Sequence, residues 1–236
     1  VNAMIAERLG LVNTRILSPK PGVMGRATAF VPLAVADELK QALANLNDGP
    51  QTPQPVVRQL SLGTGADGGV SIQLEVMFPI HQKGVINAAL SNFSGVDVVY
   101  SEVLNQNPLV GSGMIGELPK PLKEISFLKQ LKEQLKVSCV KYTTLLDQPV
   151  QKVALCGGAG GFLLPQAIAA GAQIFVTADY KYHEFFDADA KIIIADVGHY
   201  ESEQFTIDLL ATIIRKNFGN FAVHLTEMNT NPVNYL

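Results

Sequence analysis

Three short runs in the second half of the chain constrain the fold most: Lys152 to Cys156, Gln173 to Thr177 and Lys191 to Val197. Each is nearly all apolar, and a segment of helical pattern follows each. A strand with one wet face alternates apolar and polar residues, and these runs do not. Strands covered by helices on both faces read as continuous apolar runs, which is the habit of parallel sheets in α/β domains. Leu122 to Leu135 precedes them as an amphipathic helix, with Ile125, Leu128, Leu131 and Leu135 predicted as its inner stripe and Lys129, Lys132 and Glu133 outside. Val110 to Leu118 and Val137 to Leu145 are expected strands, and Ala222 to Leu225 a last one that carries His224.

An earlier stretch has another rhythm. Strand-like Arg26 to Pro32 leads into Val35 to Leu46, whose Leu39, Leu43 and Leu46 have helical spacing. Val56 to Leu62 is strand-like, residues 63–69 form a glycine-rich turn, and Val70, Ile72, Leu74, Val76 and Phe78 alternate with period two. Gly84 to Phe93 is helical, Val96 to Leu104 extended. The order β-α-β-β-α-β predicts a ferredoxin-like α+β domain. Punctuation at Ser18-Pro19-Lys20-Pro21-Gly22 and Asn105-Gln106-Asn107-Pro108 sets expected boundaries: 1–21 as a helix stopped by Gly10 plus a linker, 22–108 as the ferredoxin-like domain, and 109–236 as the α/β part. The proline-containing stretch 47–55 is a candidate mobile loop.

Apolar content of 47% and charged content of 17% describe a well-packed globular chain. A net charge of -3 with no basic run excludes the electrostatic signature of nucleic-acid binding. No apolar stretch approaches the ~20 residues that span a bilayer. The opening Val1-Asn2-Ala3-Met4-Ile5 has neither the basic nor the apolar region of a secretory signal. Cys139 and Cys156 sit in apolar, strand-like runs, which suits reduced, buried thiols in the cytoplasm.

Reactive side chains or glycines follow all three apolar runs, and ligands of open α/β sheets bind beyond the C-terminal ends of the strands. After the first comes Cys156-Gly157-Gly158-Ala159-Gly160-Gly161. Gly157, Gly158, Gly160 and Gly161 let the backbone approach a ligand and offer N–H groups to an anion, or they make a plain strand–helix turn. After the second come Asp179 and His183, four residues apart, as acid–base candidates, or with Thr177 or Asp179 as a helix cap. After the third come His199 and Glu203, again four apart and so on one helical face. Imidazole beside carboxylate is a metal-binding pair, although many helices carry such a pair without a metal. Convergence on one sheet edge favours a site.

The glycine segment, Thr177-Ala178-Asp179-Tyr180-Lys181-Tyr182-His183, Gly198-His199-Tyr200-Glu201-Ser202-Glu203 and Asn229-Thr230-Asn231-Pro232 occur in the order of the Nif-three-like family, which the chain resembles over 109–236 and 1–20. Members are also described as dinuclear-metal-centre hexameric proteins or GTP cyclohydrolase I type 2 homologues. The resemblance implies a cytoplasmic homo-oligomer, hexameric when intact. It implies two divalent ions per intact chain (zinc, iron, manganese or magnesium) and a metal-dependent hydrolase acting on a nucleotide-like or other ring substrate. His199 and Glu203 match two metal ligands. The family's His-His pair and Asp have no counterpart here, and the resemblance assigns them to sequence before Val1. It also implies that 22–108 is a PII/CutA-like insert ahead of the C-terminal half of the metal domain. The family's His-Pro-Tyr-Glu-Glu stretch is replaced by Asn92-Phe93-Ser94-Gly95-Val96-Asp97. The alternative is a non-enzymatic metal-binding regulatory or scaffold protein whose insert binds a small ligand or a partner.

Overall fold

In the computed structural model, residues 1–46, 55–64 and 69–236 are described. The elements in chain order are α1 (Asn2–Arg8), β1 (Val12–Lys20), β2 (Met24–Pro32), α2 (Ala36–Ala44), β3 (Val56–Thr64), β4 (Val70–Pro79), α3 (Lys83–Ser91), β5 (Asp97–Val103), β6 (Asn107–Leu122), α4 (Glu124–Gln134), β7 (Lys141–Tyr142), β8 (Val150–Ala159), α5 (Leu164–Ala169), β9 (Ile174–Ala178), β10 (Ile193–Asp196), α6 (His199–Glu203) and α7 (Thr206–Asn217). A 3-10 helix, Tyr182–Ala188, joins β9 to β10. The chain divides into two compact units, 1–18 with 111–236 and 19–110.

The unit at 19–110 is the β-α-β-β-α-β arrangement expected. Its sheet has the order β3-β4-β2-β5, and every neighbouring pair is antiparallel. Period two does the work: Ala27, Ala29 and Val31 of β2 and Leu74 and Val76 of β4 point one way and are fully buried. Leu39 and Leu43 of α2 and Ile86 and Leu90 of α3 close that core. The small alanines on β2 let the helices approach the sheet. The loop expected at 47–55 lies, for 47–54, outside the described residues, as do 65–68 of the expected turn.

The larger unit holds a six-stranded sheet of order β1-β6-β8-β9-β10-β7. β8, β9 and β10 are the three apolar runs, and they are parallel. The sheet as a whole is mixed, because β6 pairs β8 and β7 pairs β10 antiparallel. One face buries Ile5 of α1 and Leu9 just after it with Phe127, Leu128 and Leu131 of α4. The other buries Leu164 and Ala167 of α5 against Phe175 and Ile194. With both faces covered, β9 has no exposed residue, which is why its sequence does not alternate. Fully burying a side chain such as Phe127 or Leu155 stabilises by about 2–3 kcal/mol, and Phe127→Ala would cost about 3–5 kcal/mol.

Four expectations are corrected. The inner stripe of α4 contains Phe127, not Ile125: Phe127 is fully buried and Ile125 is 40% exposed. The stripe starts one residue earlier, at the buried Glu124, whose carboxylate accepts the Leu146 N–H at 2.8 Å. Residues 137–145 form only the two-residue β7, because they lie at the sheet edge and their partner β10 is four residues long. Cys139 is therefore exposed, while Cys156 is buried, and both are free thiols. No strand forms at 222–225, and His224 is exposed in an irregular tail. Among the described residues no helix is long and apolar enough to cross a membrane.

Candidate functional site

The glycine segment is not a turn. β8 runs through Cys156-Gly157-Gly158-Ala159, and its pairing with β9 slips between Leu155 and Ala159. Gly158 sits in the slip with φ +65°, a conformation that glycine adopts without the steric cost of a Cβ. Three amides of this segment are already engaged. Gly157 donates to Asn2 Oδ1 at 2.8 Å, Gly158 to Ser202 Oγ at 2.8 Å and Gly160 to Thr177 Oγ1 at 3.0 Å. They face protein acceptors rather than forming an open anion cradle.

Gly158 has a second use. A Cβ there would lie 3.1 Å from Glu203 Oε1 and 3.2 Å from His199 Cε1. The bare backbone is the floor on which the His199/Glu203 pair rests. Thr177, fully buried at the end of β9, also donates to the Gly158 carbonyl at 3.2 Å. The Ser202 hydroxyl itself donates to the His199 carbonyl at 2.8 Å. Two buried hydroxyls thus clamp the end of β8 to β9 on one side and to α6 on the other. Thr177 caps no helix.

Asp179 follows β9 in the left-handed region, φ +58°. Aspartate tolerates that region better than most side chains. The turn brings its Oδ2 to 2.6 Å from His199 Nδ1. On the other edge of the ring, His199 Nε2 is 3.5 Å from Glu203 Oε2, one helical turn along α6. The Asp179 hydrogen bond, more than any other contact, raises the His199 pKa above its ordinary value. The three side chains are 54%, 46% and 41% exposed for His199, Asp179 and Glu203, so a ligand can reach them. They line a cleft of about 850 Å³ with Asp196, Glu201 and the tail residues Thr230 and Asn231.

Buried acids hold the rim. Asp196, 1% exposed, accepts from Lys141 Nζ at 2.7 Å, from the Tyr180 amide at 3.2 Å and from the Gly198 amide at 3.0 Å. It fixes the start of α6 while compensating its own charge. Glu201, 7% exposed, accepts from Asn231 Nδ2 at 2.9 Å. Gly198, at φ +91°, leaves free the space that the Glu201 carboxylate occupies.

Of the predicted residues, the structure brings Asp179, His199 and Glu203 together over Gly158. His183 lies in the 3-10 helix, exposed and outside this cleft. Asp179 and His183 share no helical face, because Asp179 precedes that helix. Sequence patterning does not single out Thr177, Asp196, Glu201 and Ser202 as parts of the site. Two of them carry a sequence signal: Thr177 ends an otherwise apolar run, and Asp196 interrupts another.

Comparisons with known proteins agree with this architecture. The chain is similar to the "GTP cyclohydrolase 1 type 2 homolog" of Staphylococcus epidermidis, 26% identical over 258 residues, covering 100% of this chain and 70% of that protein. The protein of that name in Bacillus subtilis is 28% identical over 262 residues, again covering 100% and 70%. Among solved structures, the Bacillus cereus protein related to NIF3 superposes with a TM-score of 0.73 at 25% identity, covering 100% of this chain and 69% of that one. The family model described as Duf34/NIF3 (NGG1p interacting factor 3) matches residues 1–232, and the chain belongs to that family.

Proposed function

We propose that this chain carries one half of a metal centre for hydrolysis, with His199 and Glu203 as ligands of a divalent cation. The observation that supports this reading best is the divided imidazole. Asp179 takes Nδ1, which leaves Nε2 facing Glu203 and the cleft. A carboxylate on one ring nitrogen commonly fixes the tautomer and raises the basicity of a histidine that binds metal through the other. Two ligands about 2.1 Å from one zinc-like ion, at a tetrahedral angle, stand about 3.4 Å apart, and Nε2 and Oε2 stand 3.5 Å apart.

Among the described residues, no group of three or more His, Cys, Asp or Glu side chains is arranged to hold a metal. Asp179 is close by, but it is spent on Nδ1. The donors present therefore fit two coordination positions. In this proposal the remaining ligands of a two-ion centre come from other parts of the intact, oligomeric protein. When bound, such ions supply an activated water and polarise the substrate. This chain's residues have defined tasks: Asp179 orients the ring and stabilises charge on it, Gly158 gives the pair room, and the tail walls the cleft. The proposal keeps Asp179 as a group acting through His199. It gives His183 no role in the cleft and the glycine amides none in anion binding. The name of the Staphylococcus and Bacillus relatives makes GTP and related nucleotides the first substrates to try.

The test is metal content of the intact protein after dialysis, with His199→Ala beside it, followed by a turnover screen with and without metal. About two ions per chain, lost in the variant together with any turnover, is the expected result. Equal metal content in both proteins would overturn the assignment. Metal bound through His199 with no turnover would point to a metal-binding regulatory protein instead.

A further inference from the structure

α6 carries both proposed ligands on five residues, too few for a helix to sustain itself. Its inner side chains hold it. Ser202 ties it to β8, as described. Glu201 ties it to the end of the chain, and that tie is built in detail. Asn231 Nδ2 donates to Glu201 Oε1 at 2.9 Å, and the Tyr235 hydroxyl lies beside the same carboxylate next to Gly198. The other half of the Asn231 amide is also used: Oδ1 accepts the Val233 N–H at 3.1 Å, which fixes which way the amide faces. Asn231 is itself held in a turn in which its N–H meets Asn229 Oδ1 at 2.9 Å. Among the described residues Glu201 has no salt bridge, so this 93% buried carboxylate leans on the neutral Asn231 donor.

We propose that the Asn231–Tyr235 segment is a positioning element of the site: its Asn231 amide seats the Glu201 carboxylate and thereby holds α6 with His199 and Glu203 facing the cleft. This rests on the reading of His199 and Glu203 as metal ligands. The physical reason is the cost of a buried carboxylate that lacks donors. Without the Asn231 donor, Glu201 gains by turning to water. It lies midway between His199 and Glu203 on a helix shorter than two turns, so the ligands turn with it.

Asn231→Asp is the informative substitution. It keeps the shape and the acceptor for Val233 but replaces the donor with a second carboxylate facing Glu201. Hydrogen exchange of the metal-free intact protein reads α6 directly, and zinc titration reads the consequence. Asn231→Asp is expected to speed exchange across 198–204 about tenfold, leave 174–178 unchanged, and weaken zinc binding about tenfold, at the low end for partners that orient metal ligands. Glu227→Gln, in the same tail but outside both the cleft and the latch, should change neither. Unaltered exchange across 198–204 in Asn231→Asp overturns the proposal. If that variant loses protection everywhere, Asn231→Ala, which removes the donor without adding a charge, decides by the same comparison of 198–204 with 174–178. A wild-type protein that holds no zinc, with α6 still loosened by Asn231→Asp, would keep the latch and remove the metal reading.

Discussion

Replacing Tyr180 with phenylalanine should stabilise the protein, and increasingly so at high pH. Tyr180 is 7% exposed, and its ring packs on Phe185 with centroids 5.3 Å apart. Its hydroxyl has no hydrogen-bond partner among the described residues. A buried hydroxyl without a partner costs about 1–3 kcal/mol. Deleting the oxygen removes that cost and forfeits only a few dispersion contacts, for a net gain of about 1 kcal/mol at neutral pH, or about 2–4 °C in Tm for a chain of this size. The alkaline arm is independent. Burial, reinforced by the nearby Glu184 and Asp187 carboxylates, pushes the Tyr180 pKa from 10.0 up to about 12. Below pH 10 the group is protonated in folded and unfolded chains alike and adds no pH dependence. Between pH 10 and 12 the unfolded chain loses its proton while the folded chain holds it, so wild-type stability falls as pH rises. The gap caps this loss at about 3 kcal/mol. Phenylalanine has no such loss, and the other tyrosines titrate alike in both proteins. Urea denaturation at pH 7.5 and again near pH 11 should show the advantage of Tyr180→Phe widening. A variant less stable than wild type by 1 kcal/mol or more at pH 7.5 would show that the hydroxyl is satisfied. An advantage independent of pH would refute the burial argument.

Gly158→Ala puts an L side chain at φ +65° and wedges a methyl between His199 and Glu203. It should cost about 1–2 kcal/mol by denaturation, with a parallel loss of metal binding by titration. Asp179→Asn keeps the shape of the contact to His199 Nδ1 but removes its charge, and it should weaken metal binding by about 10–100-fold in dialysis while leaving the melting temperature within about 2 °C.

The fold was legible where burial is simple. β4 alternates because one face meets α2 and α3, and β9 does not alternate because neither face is wet. The errors share a cause, which is that propensity does not report partners. Residues 137–145 are rich in β-branched side chains, yet β10 pairs with Lys141 and Tyr142 alone as a ladder, and Thr143 closes it with bonds to Ile194. Ile125 and Phe127 are both apolar and two residues apart, so the helix had to choose. The sheet took the larger ring, and the rotation set by the buried Glu124 left Ile125 in water. The site was half legible. His199 and Glu203 share a face through helical periodicity, which a sequence displays. Asp179 meets His199 through a left-handed turn across 20 residues of chain, which no periodicity displays.

The buried polar residues explain why these strand ends form a site and not merely three turns. β8, β9 and β10 are adjacent, and at each C-terminal end one residue has positive φ: Gly158 at +65°, Asp179 at +58° and Gly198 at +91°. Glycine takes such a conformation at little cost, and two of the three positions have it. Asp179 does not, and a left-handed non-glycine residue costs of order 1–3 kcal/mol where the structure over-determines it. The side chain that bears this strain is the one that holds His199. Thr177, Asp196 and Ser202 bind the three ends to one another, so no single turn can relax alone. Strain at Asp179 is therefore sustained by bonds made elsewhere, and an imidazole nitrogen is left facing the cleft.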